Sequence, residues 1–378
     1  MRAFLLPMLL GLILSCGGGG GTGAPAGAAP GRADLRLAGG ASRDYPQMVL
    51  DVQRVEVAQG DGDWRLVAEP RAAVDLVALA GSSTTLAQGV ALPPGRYTRL
   101  RLVLGSENRV VLDDQSIHPL GLAPGLGGGA VIPLDLTVLP GGTRTLVLAI
   151  DPSRSVHLRV DGTQSAYLLA PAAAALDLES TAALSGVVKG PGGVPLPGAM
   201  VLAQTLDTGG SPVLLRAAQT GPDGAFVLDL LPVGASCFLA TQPVLGGVGY
   251  TAAAAGPFAL PAAGAAAGTL EVAPLQPAGT VTGSIQPTAV SGQSDLVLLQ
   301  STFVLGGVPR TLITRTRPAD VLNGFESFTF PLADTAIQSV RGIRSTLSKD
   351  GSASTAPSLN APVVNPMAAS PLAPVLRF

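Results

Sequence analysis

The sequence predicts an all-β protein: two or three tandem β-sandwich domains of immunoglobulin-like or transthyretin-like type, behind a short N-terminal apolar segment and a flexible Gly/Ala-rich tether. Three observations predict it. Apolar residues alternate with polar ones at period two in many short segments, as in Thr98-Arg99-Leu100-Arg101-Leu102-Val103-Leu104. Turn-forming residues punctuate these segments, with 49 Gly and 33 Pro in 378 residues. Charged residues make up only 13 %, which argues against long charged helices and coiled coils. At about 150 residues per domain, the length suffices for two or three cores.

Residues 1–15 read as the signal peptide. Met1-Arg2 is a short positive start, Ala3 to Leu14 is apolar, and Ser15 precedes Cys16. A 12-residue apolar segment is too short to cross a bilayer of about 20 helical residues. The arrangement resembles a bacterial lipoprotein signal. That resemblance implies lipidation at Cys16, cleavage before it, and membrane attachment through the lipid. Gly17 after Cys16, rather than Asp, implies an outer-membrane address. Residues 16–33 follow as the lipidated cysteine and its tether, because a run of Gly, Ala, Pro and Thr buries too little apolar surface to fold. With Cys16 lipidated, Cys237 is the one thiol left, so no intramolecular disulfide forms. Cys237 lies in Ser236-Cys237-Phe238-Leu239 with no His nearby in sequence, as a buried, inert thiol would.

Residues 34–180 form the first predicted sandwich. Leu146, Leu148 and Ile150 share one face of a strand, as do Val156, Leu158 and Val160. The order Trp64-Arg65-Leu66, Leu92-Pro93-Pro94-Gly95-Arg96-Tyr97, Leu100-Arg101-Leu102, Leu148-Ala149-Ile150-Asp151, Ser155-Val156 and Tyr167-Leu168-Leu169-Ala170-Pro171 resembles domain of unknown function family 4382, found near the N-terminus of bacterial lipoproteins. Asp44-Tyr45-Pro46 matches that family's Asp-x-Pro element only loosely. The family implies no catalytic residue.

Residues 181–277 form the second. Leu184-Ser185-Gly186-Val187-Val188, Leu196-Pro197-Gly198-Ala199, Pro222-Asp223-Gly224-Ala225-Phe226 and Leu231-Pro232-Val233-Gly234 resemble a carboxypeptidase regulatory-like domain, a transthyretin-type sandwich. The resemblance implies an accessory module rather than a peptidase. Gly198 and Gly224 suit turns with positive φ, Asp223 closes one through its side chain, and Phe226 re-enters the core. Residues 230–270 carry no charge, yet Pro232, Pro243, Pro257 and Pro261 interrupt any membrane span. Residues 251–268 read as a low-complexity loop and Pro274-Leu275-Gln276-Pro277 as a stiff linker. Residues 278–378 form a third β-rich domain, divergent or incomplete, whose opening Val281-Thr282-Gly283-Ser284-Ile285 parallels Leu184-Ser185-Gly186-Val187-Val188. Helices are expected only over 72–80, 171–185 and 332–341.

Few residues suggest chemistry. His157 falls on the wet face with Arg159 and Asp161, and His118 precedes Pro119 in an expected turn. Neither has the partner spacing of a metal pair. A Ser-His-Asp site from Asp151, Ser153 or Ser155 and His157 lacks a nucleophile elbow. Asp61-Gly62-Asp63 and Asp113-Asp114 offer fewer ligands than a calcium loop. No catalytic residue, metal or cofactor is assigned. The candidate contact surface is a strip of Tyr97, Arg99 and Arg101, with Trp64 either joining it or covering the sheet. The net charge of −2 and the lack of a basic run exclude nucleic acid as a partner. The expected function is a non-catalytic, lipid-anchored cell-envelope protein for binding, adhesion or structure. Its partners are the membrane through Cys16 and an envelope protein or polysaccharide. The alternatives are an accessory subunit of an outer-membrane assembly and a hydrolase with an unrecognised site.

Overall fold

Alternating apolar positions fold into paired sheets with three successive hydrophobic cores. The computed structural model describes residues 29–42, 45–161, 163–275, 279–289, 293–322, 324–332, 338–347, 353–364 and 373–378. The signal peptide, Cys16 and most of the tether lie outside these residues. The all-β class holds, and the described chain is a multi-domain β-sandwich protein.

In the first sandwich one sheet runs Ala173–Asp177, Thr143–Ile150, Gly31–Ala38, Ser83–Leu92. Gly31–Ala38 and Thr143–Ile150 are parallel, with Leu35 beside Leu146 and Leu37 beside Leu148. Pairing thus begins at Gly31, inside the stretch expected to be tether. The facing sheet is built on Gln47–Ala58, Gly95–Leu104 and Ala130–Val138. Leu35, Leu37, Leu50, Val55, Val57, Leu100, Leu102, Leu146 and Leu148 meet between the two sheets. Each such side chain contributes on the order of 1.5–3 kcal/mol when fully buried.

The second sandwich packs the sheet Ala225–Pro232, Thr181–Lys189, Ala265–Glu271 against Pro212–Gln219, Met200–Leu206, Ser236–Thr241, Ala253–Ala259. Its turn at Gly224 has φ +74°, and Asp223 accepts a 3.0 Å bond from the Ala225 amide, the roles the sequence suggests. In the third, Gly279–Gln286 and Phe325–Leu332 oppose Val308–Pro318, Gln293–Leu305 and Gln338–Leu347, around Val297, Leu299, Phe328, Phe330 and Leu376. The parallel opening motifs have one physical meaning. Gly186 stands opposite Phe226 and Gly283 opposite Phe328 in neighbouring strands, so in both domains a ring lies across a glycine backbone.

The expected helices do not form where they are described. Residues 72–75 are a strand on Gln47–Ala58, 173–177 is a sheet edge, and 338–347 is a central strand; 333–337 lie outside the described residues. Nor is 251–268 a loop: Ala253–Ala259 and Ala265–Glu271 are paired strands. Of the expected linker, Pro274–Leu275 pairs with Val248–Tyr250, and Gln276-Pro277 lies outside the described residues. In each alanine-rich case sheet pairing overrides helix propensity, which is a weak prior against tertiary context.

The three sandwiches touch one another pairwise. The second and third join through the outer faces of two sheets, where Leu202, Leu298 and Ile313 form one buried cluster and Phe238, Ala240 and Leu312 another. Between them the Gln204 amide donates to Ile313 O at 2.9 Å and accepts from Ile313 N at 2.7 Å. The first and second meet at Ala38, Val147, Ala149 and Leu230. The third returns to the first: Val156–Asp161 pairs in parallel with Asp320–Leu322, Arg159 beside Val321 and Val160 beside Leu322. This pairing makes one 13-stranded sheet across both domains.

Candidate contact surface

On the outer face of the first sandwich, Gln47–Ala58 places Glu56 opposite Arg101 and Ala58 opposite Arg99 of Gly95–Leu104. Trp64 follows the Asp61-Gly62-Asp63 turn, which closes with Gly62 N donating to Gln59 O at 2.9 Å. The indole lies under both guanidinium groups, 5.0 Å from Arg99 and 4.5 Å from Arg101 to the ring centroid. Arg101 Nε donates to Glu56 Oε2 at 2.5 Å, with Glu56 only 8 % exposed. Arg99 Nη2 donates to Gly62 O at 3.3 Å, and its Nη1 stands 3.8 Å from Asp61 Oδ1.

Tyr97 does not belong to this surface, contrary to the sequence expectation. A register shift lies between Tyr97 and Arg99 against Ala130–Val138, and the irregularity breaks strict alternation. Tyr97 turns to the core with Leu100 and Leu102, fully buried, and its hydroxyl donates to Pro93 O at 2.9 Å. Burial raises the phenol above its usual range. Trp64, Arg99 and Arg101 do converge. Glu56 was missed, because a cross-strand partner shows only once the register is known.

Stacking guanidinium groups on an indole contributes about 0.5–1 kcal/mol at exposed sites. A double-mutant cycle on Trp64→Ala and Arg101→Ala, read by urea melts, is therefore expected to give a coupling of about that size. Additive losses would show that the ring and the guanidinium do not interact energetically.

The other candidates are held in structural bonds. His118 lies in the strand Ile117–Leu122, not in a turn, with its ring 4.9 Å from Tyr167. Ser116 Oγ is 2.9 Å from His118 Nε2 and donates to Asp114 Oδ1 at 2.5 Å. The serine hydrogen is thus directed at the carboxylate and the imidazole is left to donate, the reverse of the proton path an activated serine needs. Asp151 caps a short helix, accepting from Ser153 N and Oγ and from Arg154 Nε, and Ser155 Oγ donates to Asp151 O. His157 is part-buried rather than on an open wet face, and burial pushes its imidazole down to about 4. Burial pushes the Cys237 thiol up to about 11, so it stays protonated near neutral pH. Among the described residues, no group of three or more His, Cys, Asp or Glu is placed to hold a metal ion. No described helix is long and apolar enough to cross a membrane.

One family model matches the chain, over residues 33–171. That family is the domain of unknown function DUF4382. The DUF4382 match opens within the core strand Gly31–Ala38 and ends just before Ala173–Asp177, so it covers nearly all of the first sandwich and carries the whole Trp64–Arg99–Arg101 surface. No curated protein matches the sequence. Among solved structures, the chain is similar to a Streptococcal ancillary pilin at 11 % identity, covering 91 % of this chain and 98 % of that one, with a TM-score of 0.21. It is similar to the Bacillus anthracis TIE protein at 10 % identity, covering 86 % and 49 %, with a TM-score of 0.19. Two B repeat units of the Staphylococcus aureus collagen binding protein match at 10 % identity over 87 % and 75 %, with a TM-score of 0.17.

Proposed function

We propose that this is a non-catalytic cell-envelope protein, lipid-anchored at Cys16 to the outer membrane, whose sandwiches hold surfaces in fixed relation for binding, adhesion or envelope organisation. The observation that supports it most is the pairwise contact of all three sandwiches, through two apolar seams and one shared sheet. Loops and faces on separate domains are thereby kept at set distances. In this reading the second sandwich is an accessory module of carboxypeptidase regulatory-like type, and Trp64, Arg99 and Arg101 present the contact surface of the first, toward an envelope protein or polysaccharide.

Labelled palmitate in the producing cells tests the anchor: the parent chain is expected to incorporate label and Cys16→Ala to lose it, while equal labelling would overturn it. Protease shaving of intact cells then reads which face the domains occupy. Turnover in a hydrolase screen that depends on His118 or His157 would overturn the non-catalytic reading.

A second reading, an accessory subunit of a membrane assembly, is favoured by two apolar hairpins. Val304 is 72 % and Phe325 76 % exposed, near Val308 and Leu322, and exposed apolar groups mark protein contacts. It expects one dominant partner to co-purify from detergent-solubilised envelope.

A further inference from the structure

A cleft of about 520 Å³ opens at the seam of the first and second sandwiches. Its floor is the outer face of the first sheet, with Arg36 and Ala38 on Gly31–Ala38; its far wall is Asp229 and Leu230 of Ala225–Pro232 with the turn at 262–264. Both walls depart from regular pairing. Arg36 sits at a register shift against Ser83–Leu92. Opposite Ala182 and Leu184, the register slips so that Asp229 and Leu230 fall in an irregular stretch, with Leu230 at φ +55°. A non-glycine residue held in the left-handed region is strained, and such residues cluster at ligand sites; bulges likewise re-aim side chains beside them.

Charge identifies what the cleft would take. Asp229 is already neutralised, accepting from Arg216 Nη2 at 2.9 Å. Arg36 has no carboxylate within ion-pairing distance among the described residues. Its Nη2 donates weakly to Ser83 O at 3.5 Å, and its Nε is shielded from solvent without a hydrogen-bond acceptor. One guanidinium is therefore the uncompensated charge, and its fork geometry suits a carboxylate. Around it lie Ser82, Ser83, Thr181 and Asp229, with Leu178, Ala262 and Ala263 as the exposed apolar lining. A ring with hydroxyls at its edge and C–H groups on its face matches that mixture, whereas an alkyl chain would leave the hydroxyls unmatched.

We propose that this cleft binds a sugar acid, with the uronate carboxylate on Arg36 and the ring hydroxyls on the serines, Thr181 and Asp229. The proposal stands apart from the anchoring and scaffold reading, since the palmitate experiment does not depend on it.

Calorimetric titration of the purified full chain with glucuronate, glucose and acetate tests it. Glucuronate is expected to bind, and glucose, lacking the carboxylate, and acetate, lacking the ring, about tenfold more weakly or worse. Arg36→Gln is expected to weaken glucuronate by a similar factor. Ala263→Trp, on the exposed turn at the cleft mouth, closes the entrance without touching a core and serves should Arg36→Gln misfold. Absence of glucuronate binding, equal binding of glucose or acetate, or an affinity unchanged by both variants would overturn the proposal.

Discussion

Replacing Arg344 by Met is expected to destabilise the protein by about 3–5 kcal/mol at neutral pH, because it leaves the buried Asp295 carboxylate without its cation. Arg344 Nε and Nη2 donate to Asp295 at 2.8 and 2.5 Å, Nη2 lies 3.5 Å from Glu326, and the Phe378 ring caps the guanidinium at 4.3 Å. The Asp295 and Glu326 side chains are 0 % and 1 % exposed. One guanidinium between two carboxylates cannot hold both ionised without cost. Burial, and then the adjacent Asp295 charge, push the Glu326 carboxyl up to about 8.

The folded value exceeds the unfolded one, so Glu326 contributes fully below about pH 4.5 and loses that contribution as pH rises toward 8. Over that interval the unfolded chain releases the proton and the folded one keeps it. Glu326→Gln, which keeps the shape and cannot ionise, is expected to gain stability relative to the parent chain between pH 5 and pH 8. Urea melts at the two pH values check this, and parallel pH profiles for parent and variant would refute the buried-acid account.

The other large effect is expected at the glycine–phenylalanine pair of the third sandwich. Phe328→Ala should cost about 3–5 kcal/mol, the range for emptying a buried phenylalanine site. Gly283→Ala attacks the same contact from the opposite side. A Cβ there would press on the Phe328 ring and come within 2.5 Å of Pro374 O, and overpacking of this kind costs about 1–3 kcal/mol or more. Gly186 with Phe226 repeats the geometry, an added Cβ falling 2.6 Å from Phe226 Cζ. Since the ring enters both losses and only the Pro374 contact outlasts its removal, Gly283→Ala with Phe328→Ala together should cost less than their sum by thermal melts. Strict additivity would mean the glycine is needed for another reason.

That pair shows which features of the fold are legible in a single sequence. The period-two pattern in Thr98 to Leu104, the Asp223-Gly224 turn and the repeated opening of the second and third domains depend on neighbours in the chain, and they reappear in space as expected. What was not legible depends on partners far along the chain. Strict period two places Tyr97 on the Arg99 face, because an irregularity in strand pairing leaves no local mark. Glu56 gained its role from Arg101 only through register. Strands buried on both faces, such as Met200–Leu206 with Val201 in one core and Leu202 in a seam, lose the wet face that would announce them. The alanine-rich segments read as helix or loop because composition reports propensity, and pairing decided against it. The cleft at Arg36 was invisible for the same reason: its two walls come from different domains.

The strand Val156–Asp161 gains its outer neighbour from Asp320–Leu322. The chain emerges N-terminus first, so every strand of the first sandwich is present before that neighbour is. Until residue 322 is released, its backbone donors and acceptors along this edge stay open to any passing strand. Premature termination in the third domain would therefore yield more than a shortened product: it would leave a sticky half-finished sheet for the quality-control machinery to clear.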